Sequence, residues 1–311
     1  MALKIAITSG KGGTGKTTVS VNLALQMQQL LWTQKHNIPI QLVDCDVEEP
    51  NDLLFLKEVQ TLSTEIIYQS VPQIHKDKCI FCGDCEDYCN FSAISIIPSY
   101  KYAKIDKDLC HSCGACLMAC QHGAIEEEDV EIGQVAFYKD AHQIHLAEGR
   151  LKVGSMMQTR VIKELKKRIS DDAGVVLFDA PPGTSCAVVE TISAVDYVVL
   201  VAEPTPFGLY DMQLMVALLR AVELPFGVII NKAGLGDRAI YTYLSKESIT
   251  LLGEIPFSRN YASIYAKGDI TSQIPEEIKA SYQQIIHTLD QDFKAKTPYT
   301  LNPDQQVLTS L

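Results

Sequence analysis

The sequence predicts an α/β chain: a mostly parallel, doubly wound sheet carrying a small inserted α+β module. Three observations predict it. Short apolar, β-branched runs alternate with helix-length segments over most of the 311 residues, as parallel strands joined by crossover helices require. The first run leads into SGKGGTGKTT, a glycine-rich turn that opens a helix. After the second run come two copies of a four-cysteine box spaced C-x2-C-x2-C-x3-C, the second 31 residues beyond the first.

Composition narrows the function classes. Apolar residues make up 47% and charged residues 21%, a soluble globular profile, and the length suffices for a large domain plus a smaller one. The net charge of −11 argues against a nucleic-acid surface, which needs a basic stripe. No apolar run reaches the length of a membrane span, and MALKIAITSG has no signal-peptide pattern. A cytoplasmic protein with neither nucleic-acid nor membrane partners is expected. Disulfides are rare in that compartment, so metal is the leading explanation for ten cysteines.

Taken in order, LKIAIT is a short buried strand. Gly10-Lys11-Gly12-Gly13-Thr14-Gly15-Lys16-Thr17 then satisfies G-x-x-x-x-G-K-S/T, the phosphate-binding loop. Its glycines let successive N–H groups converge on one centre. The following helix, with Val19, Leu23 and Met27 on one face, adds its positive N-terminal end. Candidate phosphate contacts are Gly12, Gly13, Thr14, Gly15, Lys16, Thr17 and Thr18. Lys16 is expected to reach the β and γ phosphates, and the Thr17 hydroxyl to bind Mg²⁺. A merely connecting turn would not need strand, loop and helix in this order.

The second strand, with Ile40, Leu42 and Val43, delivers Asp44 and Asp46 at its C-terminal end, where ligands bind in open parallel sheets. In-line attack on a γ-phosphate needs a positioned water, a task suited to a fixed carboxylate. Later, GVVLFDAPPG ends a strand on Asp179, suited to the Mg²⁺ shell, with the Gly183 backbone placed to sense the γ-phosphate. DYVVLVAEPTPFGLYD is a strand, loop and helix, and PFGVIINKAG ends a strand on Asn231 and Lys232. The tail, 294–311, lacks helical periodicity and is expected to be a loosely ordered extension.

The boxes comprise Cys79, Cys82, Cys85 and Cys89, then Cys110, Cys113, Cys116 and Cys120. This repeated spacing is the signature of a two-cluster bacterial ferredoxin, in which the fourth cysteine of each box ligates the other cluster. One 4Fe–4S cluster is therefore assigned to Cys79, Cys82, Cys85 and Cys120, the other to Cys110, Cys113, Cys116 and Cys89. Gly83 and Gly114 sit where backbone must run close to sulfide, while Asn90 and Gln121 stand where proline is usual after the fourth cysteine. Zinc, the alternative for paired C-x-x-C units, would not need an identically spaced repeat. His75, His111 and His122 flank the boxes as surface or outer residues rather than ligands. Cys45 and Cys186 are expected to be structural, buried thiols.

Lys11, in K-G-G-x-G-K-T-T, makes the loop similar to the deviant phosphate loop of the MinD/ParA ATPase class. That resemblance implies that Lys11 crosses a dimer interface to the nucleotide of the other subunit. It also implies that Asp46 orients the attacking water, that the Asn231 amide reads adenine, and that Pro256 packs near the base. The D-x-P-P-G at Asp179 resembles the second switch of the Mrp/Nbp35-like branch. Cys186 lies at an offset similar to a cluster ligand of the nitrogenase iron protein.

The whole chain resembles MinD-superfamily P-loop ATPases with an inserted ferredoxin domain. This implies a P-loop sheet at 1–65 and 126–293, a bacterial-ferredoxin-like insert at 66–125 and a tail at 294–311. ATP, Mg²⁺ and two 4Fe–4S clusters are the implied cofactors. The implied partners are a second copy in an ATP-dependent homodimer and a redox or iron–sulfur acceptor protein. An ATP-gated electron carrier, a cluster- or metal-assembly ATPase and a redox-sensing ParA-type positioning ATPase are the competing functions. The first is favoured, because eight thiolates in a ferredoxin arrangement hold clusters firmly. No cysteine follows Cys186 to supply the C-terminal C-x-x-C of the assembly factors.

Overall fold

The computed structural model describes residues 2–33, 39–169, 173–270 and 273–296. Up to the first cysteine box the elements are β1 (Leu3–Ser9), α1 (Lys16–Thr33), β2 (Ile40–Asp44), a 3-10 turn (Asp52–Phe55) and β3 (Gln60–Ile74). The cysteine region holds α2 (Asp84–Asp87), β4 (Ile94–Ile97), β5 (Tyr102–Ile105) and α3 (Ala115–Ala119). Then follow β6 (Ile125–Lys139), β7 (His145–Leu151), α4 (Gln158–Lys166), β8 (Val175–Asp179), α5 (Cys186–Ile192) and β9 (Tyr197–Ala202). The remainder is α6 (Pro206–Ala221), β10 (Phe226–Ala233), α7 (Ala239–Lys246), β11 (Leu251–Pro256), α8 (Arg259–Tyr265) and α9 (Glu276–Lys296).

Two compact units result: Met1–Thr64 with Val135–Arg150 and Ile162–Leu311, and Glu65–Gln134 with Leu151–Val161. The first is an α/β unit built on a sheet of order β11-β10-β9-β1-β8-β2-β7-β6-β3. Pairing is parallel from β11 through β7. Every residue of β8 and β9 is buried, as parallel strands covered on both faces must be. Full burial of a side chain such as Ile5, Phe178 or Leu200 contributes about 1.5–3 kcal/mol. Val19, Leu23 and Met27 of α1 join the same core as Ile278, Tyr282 and Leu289 of α9. Registers Ile7↔Asp179 and Asp44↔Asp179 set the C-terminal ends of β1, β8 and β2 side by side, which fixes where a site can form.

The second unit is α+β. Its β4 and β5 form an antiparallel pair with Ile94 opposite Ile105, and Ile94, Ile96, Ala103 and Ile125 pack with Cys85 and Cys116. This unit is larger than the 66–125 span expected from the cysteines. The 15-residue strands β3 and β6 carry chain from one unit into the other, and 151–161 also joins the second. At the C-terminus, α9 continues through Lys296, so the extension expected from 294 begins as helix. Residues 297–311 lie outside the described residues. Among the described residues no helix is long and apolar enough to cross a membrane.

Candidate functional site

The loop between β1 and α1 is shaped by its sequence. Gly15 takes φ +88°, and a Cβ there would lie 2.3 Å from Asn231 Nδ2, so only glycine fits. Asn231, at the end of β10, donates its amide to Thr14 O at 2.7 Å and accepts from Lys232 N at 2.9 Å. Lys232 Nζ donates to Gly13 O at 2.7 Å and pairs with Glu203 at 3.1 Å. Thr14 is buried, and its hydroxyl has no partner. Gly12 and Gly13 are exposed at the loop tip.

Lys16, Thr17 and Ser20 converge on one carboxylate. Lys16 Nζ meets Asp179 Oδ1 at 2.9 Å, Thr17 Oγ1 donates to Oδ2 at 2.8 Å, and Ser20 Oγ donates to Oδ1 at 2.7 Å. Burial alone would lower the Lys16 pKa, but the charges of Asp179, Asp46 and Asp44 hold it above its ordinary value. The loop lysine therefore stays cationic where phosphate is expected.

Asp44 accepts N–H bonds from Asp46, Asn51 and Asp52 at 2.8–3.1 Å, folding the segment after β2 into a tight turn. Burial, together with the charge of Asp179, raises its pKa. Asp46 is less enclosed, and burial raises it to about 6 against the pull of Lys16. Asp52, which the sequence did not single out, is fully buried with both carboxylate oxygens unpartnered. Burial and then the charges of Asp44 and Asp179 push it well above the usual carboxylate range.

Oxygens of Asp44, Asp52 and Asp179 lie within 4.8 Å of one another. Hard oxygen donors with unpartnered lone pairs, beside the Thr17 hydroxyl, suit a divalent cation such as Mg²⁺.

Other expected residues fall as follows. Lys11 pairs with Glu203 of its own chain at 2.5 Å. Burial acts to raise the Glu203 pKa, but hydrogen bonds from Lys11 and Lys232 hold it below its ordinary value. The Gly183 N–H donates to Ser9 O at 2.9 Å, so it is committed within the protein rather than turned toward a phosphate. Thr18, Asn231 and Pro256 line a cavity of about 330 Å³ together with Phe257, Tyr261 and Tyr265. Asn231 keeps one N–H and one lone pair for a ligand there. Cys45 is buried as expected, but Cys186 is exposed at the start of α5, which corrects its reading as a buried thiol.

In the second unit the eight box cysteines line two cavities. One is walled by Cys79, Cys82, Cys85 and Cys120 with Ile74, Ile96 and Ile125. The other has Cys110, Cys113, Cys116 and Cys89 with Ile94 and Ile105. Three thiols in each come from one box and the fourth from the other. Left-handed Gly83 and Gly114 begin α2 and α3, between the exposed second cysteine of each box and its buried third. Amide N–H groups of Phe81 and Ser112 reach Cys79 Sγ and Cys110 Sγ, each at 3.4 Å. Four thiols around an apolar-walled space form a donor set suited to a cubane group. His122 lines the first cavity and His111 the second, the latter stacked on Phe91 at 4.0 Å. His75 instead pairs with Glu126 at 3.0 Å.

Two uncharacterized proteins of Methanocaldococcus jannaschii are similar throughout. One is 31% identical over 290 residues, covering 91% of this chain and 96% of its own. The other is 29% identical over 287 residues, covering 85% and 90%. The septum site-determining protein MinD of Pyrococcus horikoshii, solved with Mg-ADP, superposes with TM-score 0.57 at 18% identity, covering 96% of this chain and 100% of its own. At that identity the likeness is one of fold. The model of the CobQ/CobB/MinD/ParA nucleotide binding domain matches residues 5–271, a span that holds the loop, Asp44, Asp179 and Asn231. This chain belongs to the CobQ/CobB/MinD/ParA nucleotide-binding family.

Proposed function

We propose that the protein is a Mg²⁺-dependent ATPase that carries two 4Fe–4S clusters and uses ATP to gate one-electron transfer to an acceptor protein. The observation that carries this reading is the exchange of Cys89 and Cys120 between the two cysteine-lined cavities. A zinc site needs no such exchange, whereas paired cubane clusters are held this way. The clusters, when bound, supply reversible one-electron chemistry.

The nucleotide half works through its own residues. Lys16 leaves Asp179 for the β and γ phosphates, and the Thr17 hydroxyl turns to Mg²⁺ beside the freed carboxylate. Asp46, next to the γ-phosphate, orients the attacking water, which needs a fixed acceptor more than a strong base. Asn231 and the Pro256, Phe257 and Tyr261 wall receive adenine. Lys11 exchanges Glu203 for the nucleotide of a second copy, closing an ATP-dependent homodimer. Asp44 links this event to the clusters, since it holds the N–H groups of Asn51 and Asp52. That turn leads into β3, which ends at Ile74 on the first cysteine-lined cavity.

Exposure of Cys82 and Cys113 favours a second reading, in which a cluster corner is handed to an apo-protein. The two readings part in one experiment on anaerobically reconstituted protein, in which iron release to a chelator is followed with MgATP, with MgADP and without nucleotide. A gate changes the release rate several-fold with MgATP and loses the change in Lys16→Ala, while the clusters stay on the protein when apo-ferredoxin is added. Identical rates in all three states contradict gating, and transfer to apo-ferredoxin favours delivery.

A further inference from the structure

The two boxes repeat in spacing but not in charge. Asp84, Glu86 and Asp87 lie on α2, inside the first box, and Asp84 lines its cavity. At the matching positions 31 residues later, α3 carries Ala115, Leu117 and Met118. Box 79–89 thus holds three carboxylates and no cation, and box 110–120 holds no Lys, Arg, Asp or Glu. Flanking charges offset part of this, with Lys76, Asp77 and Lys78 before the first box and Asp106, Lys107 and Asp108 before the second, and leave the first the more negative. Each box is entered past a lysine paired to β6, Lys78 with Glu126 at 2.9 Å and Lys107 with Glu128 at 3.8 Å.

Other features that set a cluster potential are matched between the cavities only in part, Cys79 being half-buried where Cys110 is buried. Each has one amide N–H on its first cysteine at 3.4 Å, and the first cavity has a further one from the Ala124 N–H to Cys120 Sγ, also at 3.4 Å. Each has its second cysteine exposed and its third buried. Each is lined by one histidine. Cluster potential follows net charge, sulfur hydrogen bonds and exposure; the extra N–H bond on Cys120 acts against the three carboxylates of α2, whose full charges outweigh it. Negative charge close to a cluster disfavours adding an electron to it.

We infer that α2 makes the two cavities electrochemically unequal, with the Cys79, Cys82, Cys85, Cys120 cluster at the lower reduction potential and the Cys110, Cys113, Cys116, Cys89 cluster as the electron's resting place. This inference rests on the two-cluster reading above. One electron passes from the reduced cluster of the first cavity to the oxidised cluster of the second. The first is oxidised and the second reduced, and no bond or proton moves. A low-potential one-electron donor fills the pair, and a one-electron acceptor drains it from the second box. The asymmetry gives direction to a module whose fold is otherwise repeated.

The test is a dithionite titration of the full chain, reconstituted anaerobically with iron and sulfide and followed by EPR. Wild-type protein should reduce in two one-electron steps separated by at least a factor of ten in equilibrium constant, which is about 59 mV. Asp84→Asn/Glu86→Gln/Asp87→Asn, on a surface helix, should raise the lower step and leave the upper one in place. Ala115→Asp/Leu117→Glu/Met118→Asp should lower the upper step instead. Each variant is compared at full iron content, so that loss of folding is not mistaken for a shift. The inference is overturned if wild type titrates in one step, if both variants keep the wild-type spacing, or if neutralising α2 moves the upper step. An iron count below eight in wild type overturns the two-cluster reading itself, and is measured separately.

Discussion

Lys16 and Asp179 form a buried ion pair at 2.9 Å that ties the first turn of α1 to the end of β8. The two side chains are 7% and 1% exposed, so neither charge has water as an alternative partner. The contact stores the phosphate-binding lysine on the carboxylate that also holds Thr17 and Ser20.

Replacing Lys16 by Ala leaves Asp179 buried without its cation. Breaking one partner of a buried pair costs about 3–5 kcal/mol, so a clear fall in melting temperature is expected. Loss of a charged hydrogen bond to phosphate weakens nucleotide binding by a further roughly 1.5–3 kcal/mol. Calorimetric titration with ATP and a thermal melt measure the two effects separately. Unchanged ATP affinity would remove Lys16 from the phosphate site.

Asp46 is assigned the attacking water, and its replacement by Asn should slow hydrolysis by about 10²-fold or more while ATP still binds. Burial raises its pKa to about 6, and only the ionised form accepts a hydrogen bond from water. Single-turnover hydrolysis by the wild type should therefore fall as pH drops through about 6. The Asn variant should lack that inflection, and a wild-type inflection that survives in it assigns the titration elsewhere.

Asp52 also bears on the stability of the metal-free protein. Its folded-state pKa, like that of Asp44, is raised above the unfolded value. The folded protein then binds more protons than the unfolded one from about pH 4 upward. Stability of the nucleotide-free, metal-free protein should fall as pH rises through that window, because burial opposes ionisation. Asp52→Asn removes one buried acid and offers amide donors to its neighbours, so it should raise stability at pH 8 by about 1–3 kcal/mol and flatten the dependence. Urea unfolding at pH 6 and pH 8 gives the comparison. Equal slopes in variant and wild type would mean that Asp52 does not hold the proton.

Glu203 holds both Lys11 and Lys232. If Lys11 is to reach a second subunit, Glu203 restrains it, and Glu203→Gln should ease MgATP-driven dimerisation. The lysine is about one-third exposed, so the pair contributes at most about 1 kcal/mol and the dimer constant should tighten by no more than roughly fivefold. Sedimentation with MgATP reads the shift directly, and weaker association in the variant would show that Glu203 supports the interface instead.

Much of this was legible in the chain because the signals are local. The loop from Gly10 to Thr17 is one continuous motif, and the cysteine repeat specified which four thiols share a cavity. Asp52 was missed because its burial depends on Asp44 capturing the N–H groups of Asn51 and Asp52, a turn that DCDVEEPND does not announce. Glu203 was missed because its partners lie 192 and 29 residues away in sequence. The long strands β3 and β6 carry exposed polar residues such as Glu65 and Glu127, so they lack an apolar run, although alternation in IYQSV was a usable sign. The commitment of Gly183 to Ser9 arises from the β1–β8 register and has no sequence signature.

The central claim is that a nucleotide switch and two crossed cubane clusters share one chain, and the most direct measurement is Mössbauer spectroscopy of anaerobically prepared, iron-57-enriched protein with its metal and sulfide content. Two clusters of four irons predict eight irons and eight sulfides per chain, all in [4Fe–4S] spectra, with half lost in Cys82→Ala and the spared half assigned to Cys110, Cys113, Cys116 and Cys89. Zinc in place of iron, or iron content that remains below eight after full reconstitution, would contradict it.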